Sequence, residues 1–144
     1  MIMNNKIYTL IAAAGICLPL SAKDASKPSV APEYAKEVFK GADGTTLNIR
    51  LKSPTTKEKG KLYPLVVMLH GAGGRGSDNL RQLTDAGMLN NLKKTKGFED
   101  SYVLAGQVPQ GQRWVDIHWG TLDHRMPAVT PSMKLLIERI DQIL

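Results

Sequence analysis

The feature that most constrains the fold of this chain is a run of five apolar residues followed at once by a histidine and a glycine-rich loop. Leu65 to Leu69 reads LVVML, Pro64 precedes it, and HGAGGRGSDN follows from His70. A short strand that is apolar at every position is buried on both faces, which is typical of a parallel sheet covered by helices. The sequence therefore predicts an α/β sheet with a tight turn at the end of this strand.

Other predicted elements surround this strand. Two β-type runs on either side of Gly41-Ala42-Asp43-Gly44 predict a hairpin, in which Leu47, Ile49 and Leu51 alternate with polar residues. A second apolar strand is predicted at Ser101 to Ala105. Either Asp78 or Asn79 can cap a helix that begins near Leu80, and further helical sequence is predicted from Asp85 to Lys94. The order of strands and helices indicates an α/β fold.

The last predicted element is an amphipathic helix. Thr130 is placed to be its N-cap and Pro131 its first residue. Its predicted apolar face comprises Met133, Leu136, Ile137, Ile140, Ile143 and Leu144.

Residues 1–22 predict a secretory signal peptide that is cleaved near Ala22. They contain one Lys, no acidic residue and an apolar run from Ile7 to Leu20, and this run is shorter than the roughly 18 residues of a membrane span. A secreted or periplasmic location follows, with no membrane association after cleavage. Cys17 would leave with the leader, and residues 23–36 predict a flexible linker before a domain over residues 37–144.

Charge and metal-ligand patterns exclude two classes of function. The chain carries a net charge of +6, but its basic clusters at residues 52–61 and 90–97 contain no aromatic residue, so we expect no nucleic-acid partner. His118 and His124, with the neighbouring Asp116 and Asp123, lack the spacing of a zinc site, and we expect no metal.

The glycine loop itself is compatible with three kinds of site. Gly71 to Gly76 matches the GxGxxG pattern of dinucleotide-binding folds, but the acidic partner expected after the next strand is missing. A phosphate loop would need a lysine where Ser77 stands. The third kind is an oxyanion hole, in which small residues allow backbone N–H groups to approach a developing negative charge.

From about Glu37 to Leu144 the chain resembles the N-terminal half of secreted α/β-hydrolase-fold esterases and predicted peptidases. This group includes prolyl oligopeptidase-like, phospholipase/carboxylesterase and feruloyl esterase-like proteins. The resemblance rests on YPLVVMLHGAGGRGSDN, on SYVLAGQVPQGQRWVD and on the final helix, taken in order. It implies an incomplete α/β-hydrolase fold, made of the N-terminal hairpin and the first parallel strands with covering helices. It also implies a serine hydrolase of carboxylic esters or, as the weaker alternative, of peptides, without a cofactor.

The resemblance also implies roles for particular residues. Ala72 and Gly73 would form the oxyanion hole, supported by His70, Gly71, Asp78 and Asn79, and a candidate substrate cleft would contain Trp114 and Trp119. The substrate would be a small-molecule ester, a carbohydrate ester or a peptide.

The chain contains no GxSxG sequence, so we expect no catalytic nucleophile, acid or base in it and no turnover by the chain alone. A non-catalytic secreted binding domain is the alternative function, and a dinucleotide-binding protein is a second one.

Overall fold

A computed structural model describes residues 9–12, 32–84, 86–117, 120, 122 and 128–144, which form a five-stranded mixed sheet with helices on its faces. The strands lie in the order β1-β4-β5-β3-β2. Their bounds are β1 Thr9–Ala12, β2 Ala35–Lys40, β3 Thr46–Lys52, β4 Leu65–Leu69 and β5 Tyr102–Gln107. The helices are α1 Ala86–Lys93 and α2 Pro131–Ile143, and short 3-10 turns cover Ala72–Gly74 and Arg81–Leu83. The predicted α/β class agrees with this mixed sheet.

The predicted hairpin is confirmed, because β2 and β3 pair as antiparallel neighbours from Ala35↔Leu51 to Lys40↔Thr46. Its first strand begins inside the segment that the sequence assigns to a flexible linker. Tyr34 is only 1% exposed and packs in an apolar cluster with Met68 and Phe98. Burial of this one aromatic ring anchors the chain before β2, which the Pro- and Ser-rich composition of residues 23–36 does not reveal.

Strand β4 is buried on both faces, as its uniform apolar sequence predicts. Leu65 and Val67 belong to the cluster under α2, whereas Met68 belongs to the cluster on the α1 side. Strand β5 runs parallel to β4 from Leu65↔Tyr102 to Met68↔Ala105 and continues two residues beyond its predicted end, to Gln107. The two strands therefore end at the same edge of the sheet.

Helix α2 begins as predicted. The Thr130 hydroxyl accepts a hydrogen bond from the Met133 N–H, and Pro131 is the first helical residue. The predicted apolar face is partly wrong, because Ile137 and Leu144 are each 45% exposed while Leu135 is buried. Contacts with the hairpin set which face of the helix is buried. Arg139 forms an ion pair with Glu37 at 2.8 Å, and Leu135 packs in the same cluster as Phe39.

Helix α1 lies within the helical segment predicted from Asp85 to Lys94, but the predicted start near Leu80 is a separate short turn. The chain first makes the 3-10 turn Arg81–Leu83, and the helix itself starts at Ala86. No helix in the described ranges is long and apolar enough to cross a membrane.

A strand inside the predicted leader was not expected from the sequence. Thr9–Ala12 forms β1, which pairs in parallel with β4 from Thr9↔Val66 to Ala12↔Leu69. It lies at one edge of the sheet, and β2 lies at the other.

Candidate functional site

The candidate site lies where the parallel strands β4 and β5 end. His70 follows β4 directly, and Gln107 is the last residue of β5. The carboxyl edge of parallel strands is where α/β proteins usually bind ligands, because the loops that leave the strands converge there. The glycine loop and the loop after β5 therefore share one edge of the sheet.

Ala72 and Gly73 open the 3-10 turn of the glycine loop. The turn closes through hydrogen bonds from the Gly74 N–H to the Gly71 oxygen, 3.1 Å, and from the Arg75 N–H to the Ala72 oxygen, 3.4 Å. The first amides of a helical turn have no partner within it. Those of Ala72 and Gly73 bond to no other residue that the structure describes, and both residues are exposed. Two adjacent N–H groups are thus free to meet an external acceptor.

Gly74 has to be a glycine because the backbone lies directly on the His70 side chain. A Cβ atom at this position would stand 2.5 Å from both Cβ and Cγ of His70, which is well inside any real contact. A side chain here would move either the imidazole or the turn. The third glycine of the loop therefore serves close packing.

The His70 imidazole is held by hydrogen bonds at both nitrogens. The Val108 N–H donates to Nε2 at 3.0 Å, and Nδ1 lies 2.6 Å from the Gly71 oxygen. A backbone N–H can only donate, so Nε2 is unprotonated and Nδ1 carries the proton that reaches Gly71. Burial, aided by the nearby charge of Arg75, lowers the pKa of His70 below its ordinary value. His70 thus joins the start of the glycine loop to the end of β5 as a neutral ring.

Gln107 joins the other parts of the glycine loop. Its side chain is fully buried; Oε1 accepts from the Asn79 N–H at 2.6 Å, and Nε2 donates to the Gly74 oxygen at 3.2 Å and to Asp78 Oδ1 at 2.7 Å. One carboxamide therefore satisfies groups on both sides of the turn that follows Gly74. Sequence reasoning did not assign Gln107 a site role. A polar residue at the end of an otherwise apolar strand is the signal that could have found it.

Asp78 and Asn79 have different roles in the structure. Asp78 Oδ1 accepts from the N–H groups of Leu80 and Arg81, so it caps the following 3-10 turn. Burial alone would raise the pKa of Asp78, but the hydrogen bonds from Gln107 and these amides outweigh it and lower the pKa.

Asn79 is not a helix cap. It is fully buried with a φ of 52°, and its Nδ2 donates to the oxygens of Glu37 and Ile49 in the hairpin. Asn tolerates this left-handed conformation better than other residues with side chains, so it can turn the chain inward here. The end of the glycine loop is therefore tied to β2 and β3.

Of the two tryptophans predicted to line a substrate cleft, the structure describes Trp114. Its Nε1 donates to the His70 oxygen at 3.2 Å, and the two rings lie 5.3 Å apart between centroids. A Cβ atom on Gly106 would come within 2.8 Å of its ring, so a side chain at position 106 would displace the indole. Trp114 thus packs over the end of the sheet beside the glycine loop.

The candidate residues His118, Trp119, Asp123 and His124 lie outside the described residues. Asp116 is described and exposed. Within the described ranges no three His, Cys, Asp or Glu side chains cluster as metal ligands would.

Comparison with known proteins gives a similarity to a solved structure. No protein-family model matches the chain, and no curated protein matches it. The chain is similar to the crystal structure of a thermostable esterase, with 27% sequence identity and a TM-score of 0.63 over 76% of its own length. It spans only 30% of that esterase. The chain therefore has an esterase-like, hydrolase-like fold.

The pH dependence of stability should report the neutral state of His70. Because its pKa is lowered, His70 binds a second ring proton less well in the folded chain than in the unfolded chain. The contribution of the neutral imidazole to the free energy of unfolding is therefore complete above about pH 6.5 and is lost as the pH falls through the lowered pKa. We expect the melting temperature of the unmodified chain to fall over this pH range. The difference in melting temperature between the unmodified chain and the His70→Gln variant should become smaller at the same time. Parallel pH profiles of the two proteins would contradict the assignment.

Replacing Gln107 by leucine should destabilise the chain by about 2–3 kcal/mol, because it leaves buried polar groups of Gly74 and Asn79 without partners. Urea unfolding monitored by circular dichroism measures the change. Gln110→Leu, at an exposed position three residues on, is the matched control and should change stability by less than about 0.5 kcal/mol. Equal changes in the free energy of unfolding for the two substitutions would mean that the hydrogen bonds of the Gln107 carboxamide do not stabilise the fold.

Proposed function

We propose that this chain carries the oxyanion-binding part of an α/β-hydrolase-fold serine esterase that hydrolyses a small-molecule or carbohydrate carboxylic ester; a peptide bond is the less favoured substrate. The observation that carries the proposal is the pair of N–H groups at the exposed residues Ala72 and Gly73, which bond to no residue that the structure describes, on a turn at the carboxyl edge of parallel strands. The similarity to a thermostable esterase supports the same class of chemistry.

The physical argument depends on pre-organisation. When a nucleophile attacks an ester, the carbonyl oxygen becomes an oxyanion, and backbone N–H groups that already point at it lower the barrier because they need not reorient. One such donor contributes about 3 kcal/mol in serine hydrolases. The bonds of His70 and Gln107 around the turn are what would keep the amides of Ala72 and Gly73 in place.

The proposal assigns the nucleophile, the acid and the base to residues beyond these 144. Ser101 and Ser132 are buried, and the Ser101 hydroxyl donates to the Phe98 oxygen at the opposite end of β5. Ser77 is exposed in the glycine loop but lies between Gly76 and Asp78, without the sharp strand-to-helix turn that presents a nucleophile. Among the described residues, none of the three serine hydroxyls forms a hydrogen bond with a histidine.

We also propose that residues 1–22 act as a secretory leader. The supporting observation is compositional: an apolar run that ends in small residues after a single Lys. An exported protein whose N-terminal sequence starts near Lys23 would support export, and one that still carries Met1 would contradict cleavage.

The 144-residue chain alone should not hydrolyse p-nitrophenyl acetate above the buffer rate and should not be labelled by a fluorophosphonate, because amides without a nucleophile supply only a small part of the rate enhancement. The coding sequence after Leu144 tests the rest of the proposal. A continuation with Gly-x-Ser-x-Gly within a few tens of residues supports it. A stop codon after Leu144, together with a stable folded product, would contradict it and favour a binding domain.

In a product that continues past Leu144 and hydrolyses esters, the substitution Ala72→Pro should lower kcat by about 100- to 1,000-fold, because proline lacks the backbone N–H that donates to the oxyanion. Gly71 is extended, with φ −75° and ψ −170°, so a proline can follow it at the start of the turn without a clash. Ala72→Ser keeps the N–H and a small side chain and is the matched control, with kcat expected near that of the unmodified enzyme. Steady-state kinetics on p-nitrophenyl acetate decide between them, and an equal loss in both variants would contradict the role of the Ala72 amide.

A further inference from the structure

Lysines are concentrated at the amino ends of strands β4 and β5, at the edge of the sheet opposite the glycine loop. Two segments form this part of the surface: residues 53–63, which lead into β4, and residues 93–101, which lead into β5. The N–H and the hydroxyl of Thr55 both donate to the Glu99 oxygen, at 3.0 and 3.2 Å, and join the two segments. The two lysine-rich stretches of the sequence therefore lie side by side in the fold.

The lysines of these segments fall into two groups. Lys61 forms an ion pair with Glu58 at 2.7 Å, and Lys93 forms one with Glu33 at 2.8 Å. The others are exposed, form no ion pair with a described residue and make up a basic surface at this edge, namely Lys57, Lys59, Lys94 and Lys96.

The remaining carboxylates of this edge lie near a different lysine. Burial lowers the pKa of the Lys52 ammonium group, and the nearby charges of Glu33, Glu99 and Asp100 oppose that effect. Lys52 Nζ also donates to the oxygens of Phe98, Glu99 and Ser101, at 3.0 to 3.2 Å, so it holds the second segment in place. The basic surface therefore keeps a net positive charge.

A leucine projects from the same edge of the fold. Leu62 is 91% exposed, although leucine is a residue that proteins usually bury. It follows a tight turn in which the Lys61 N–H donates to the Glu58 oxygen at 3.2 Å and Gly60 has a φ of 81°, which glycine adopts without strain. The Tyr63 hydroxyl accepts from the Glu58 N–H at 2.8 Å and closes the loop. The exposed position of Leu62 is thus built into the loop.

The combination of Leu62 with the basic surface indicates the kind of partner. A single exposed leucine carries no argument, since apolar side chains occur singly on most protein surfaces. Lysines next to an exposed apolar side chain fit an anionic lipid surface, because the ammonium groups are attracted to the phosphate headgroups while the apolar side chain enters the acyl boundary.

We propose that the basic surface, together with Leu62, docks on an anionic lipid surface with the Leu62 side chain inserted between the headgroups. The glycine loop at the opposite edge of the sheet would then face the solution. The expected absence of membrane association concerned membrane spans, whereas contact with a lipid surface needs only side chains that the fold brings together. The proposal does not depend on the esterase function, since it concerns the other edge of the sheet.

Nucleic acid fits this surface less well. Bases bind proteins by stacking on open aromatic faces. Tyr63 and Tyr102 lie beside the lysines, but Lys61 Nζ is 5.4 Å from the Tyr63 ring centroid and Lys57 Nζ is 5.1 Å from that of Tyr102. The two rings also pack edge to face at 6.4 Å. Lysines therefore occupy ring faces that bases would need, and Leu62 would have no role in binding phosphates.

A fluorescent label at position 62 tests insertion directly. In a Cys17→Ser background, Leu62→Cys is labelled with a fluorophore that brightens in apolar surroundings. The chain is then mixed with vesicles of phosphatidylcholine and phosphatidylglycerol in a ratio of about 7:3. Leu122→Cys is the matched control, because Leu122 is also 91% exposed but lies between β5 and α2. Only the label at position 62 should brighten, and binding through the leader is common to both chains.

A pair of charge substitutions tests the lysines. Lys59→Gln with Lys96→Gln should weaken binding of the chain labelled at position 62 by about tenfold, because each lysine near an anionic surface adds to the attraction. Lys40→Gln with Lys134→Gln removes the same charge from exposed positions at the end of β2 and in α2 and should change the affinity by less than about twofold. Vesicle titrations at one salt concentration measure both.

Brightening at position 62 on anionic vesicles but not on pure phosphatidylcholine, with the larger loss in the Lys59 and Lys96 variant, supports the proposal. An equal response of the two labels, no response of either, an equal response on neutral vesicles or equal losses in the two lysine variants overturns it. Binding to double-stranded DNA as tight as to the vesicles, with the label at position 62 still in water, also overturns it, because the partner would then be a soluble polyanion.

Discussion

The arrangement of the candidate site depends on the buried carboxamide of Gln107. Its oxygen accepts from the Asn79 N–H, and its nitrogen donates to Gly74 and Asp78, so one side chain at the end of β5 joins both sides of a turn in the loop after β4. Buried hydrogen bonds are costly to break because their groups cannot turn to water instead. A glycine-rich loop would otherwise have many accessible conformations, and this network leaves it few.

His70 and Asn79 extend the same principle to the rest of the fold. His70 bonds to the backbone of Val108 at the end of β5, and Asn79 bonds to Glu37 and Ile49 in the hairpin. The glycine loop is thus attached to three strands, while the amides of Ala72 and Gly73 stay exposed. A rigid loop with free donors is the arrangement that oxyanion stabilisation requires, which is why the proposed function rests on the loop and its supports together.

Much of the secondary structure could be predicted because it depends on neighbours in sequence. The alternation of Leu47, Ile49 and Leu51 predicted the hairpin strand, and the Thr130-Pro131 pair predicted the start of α2. The errors arose where distant contacts decide. Ile137 has the right spacing to face the core, but contacts between the helix and the hairpin leave it exposed, and the Tyr34 ring brings order to a segment with the composition of a linker.

The sequence by itself determined the local elements: a strand apolar on both faces, a turn of small residues after it, and an amphipathic helix with its cap. The tertiary structure alone decided which polar groups meet. In the folded chain Asn79 is buried and bonds to the hairpin instead of capping a helix. Gln107 meets its three partners, and Thr9–Ala12 lies beside β4. The physical reason is that periodicity and capping act over a few residues, whereas a buried polar side chain needs partners that only the folded chain brings within hydrogen-bonding distance.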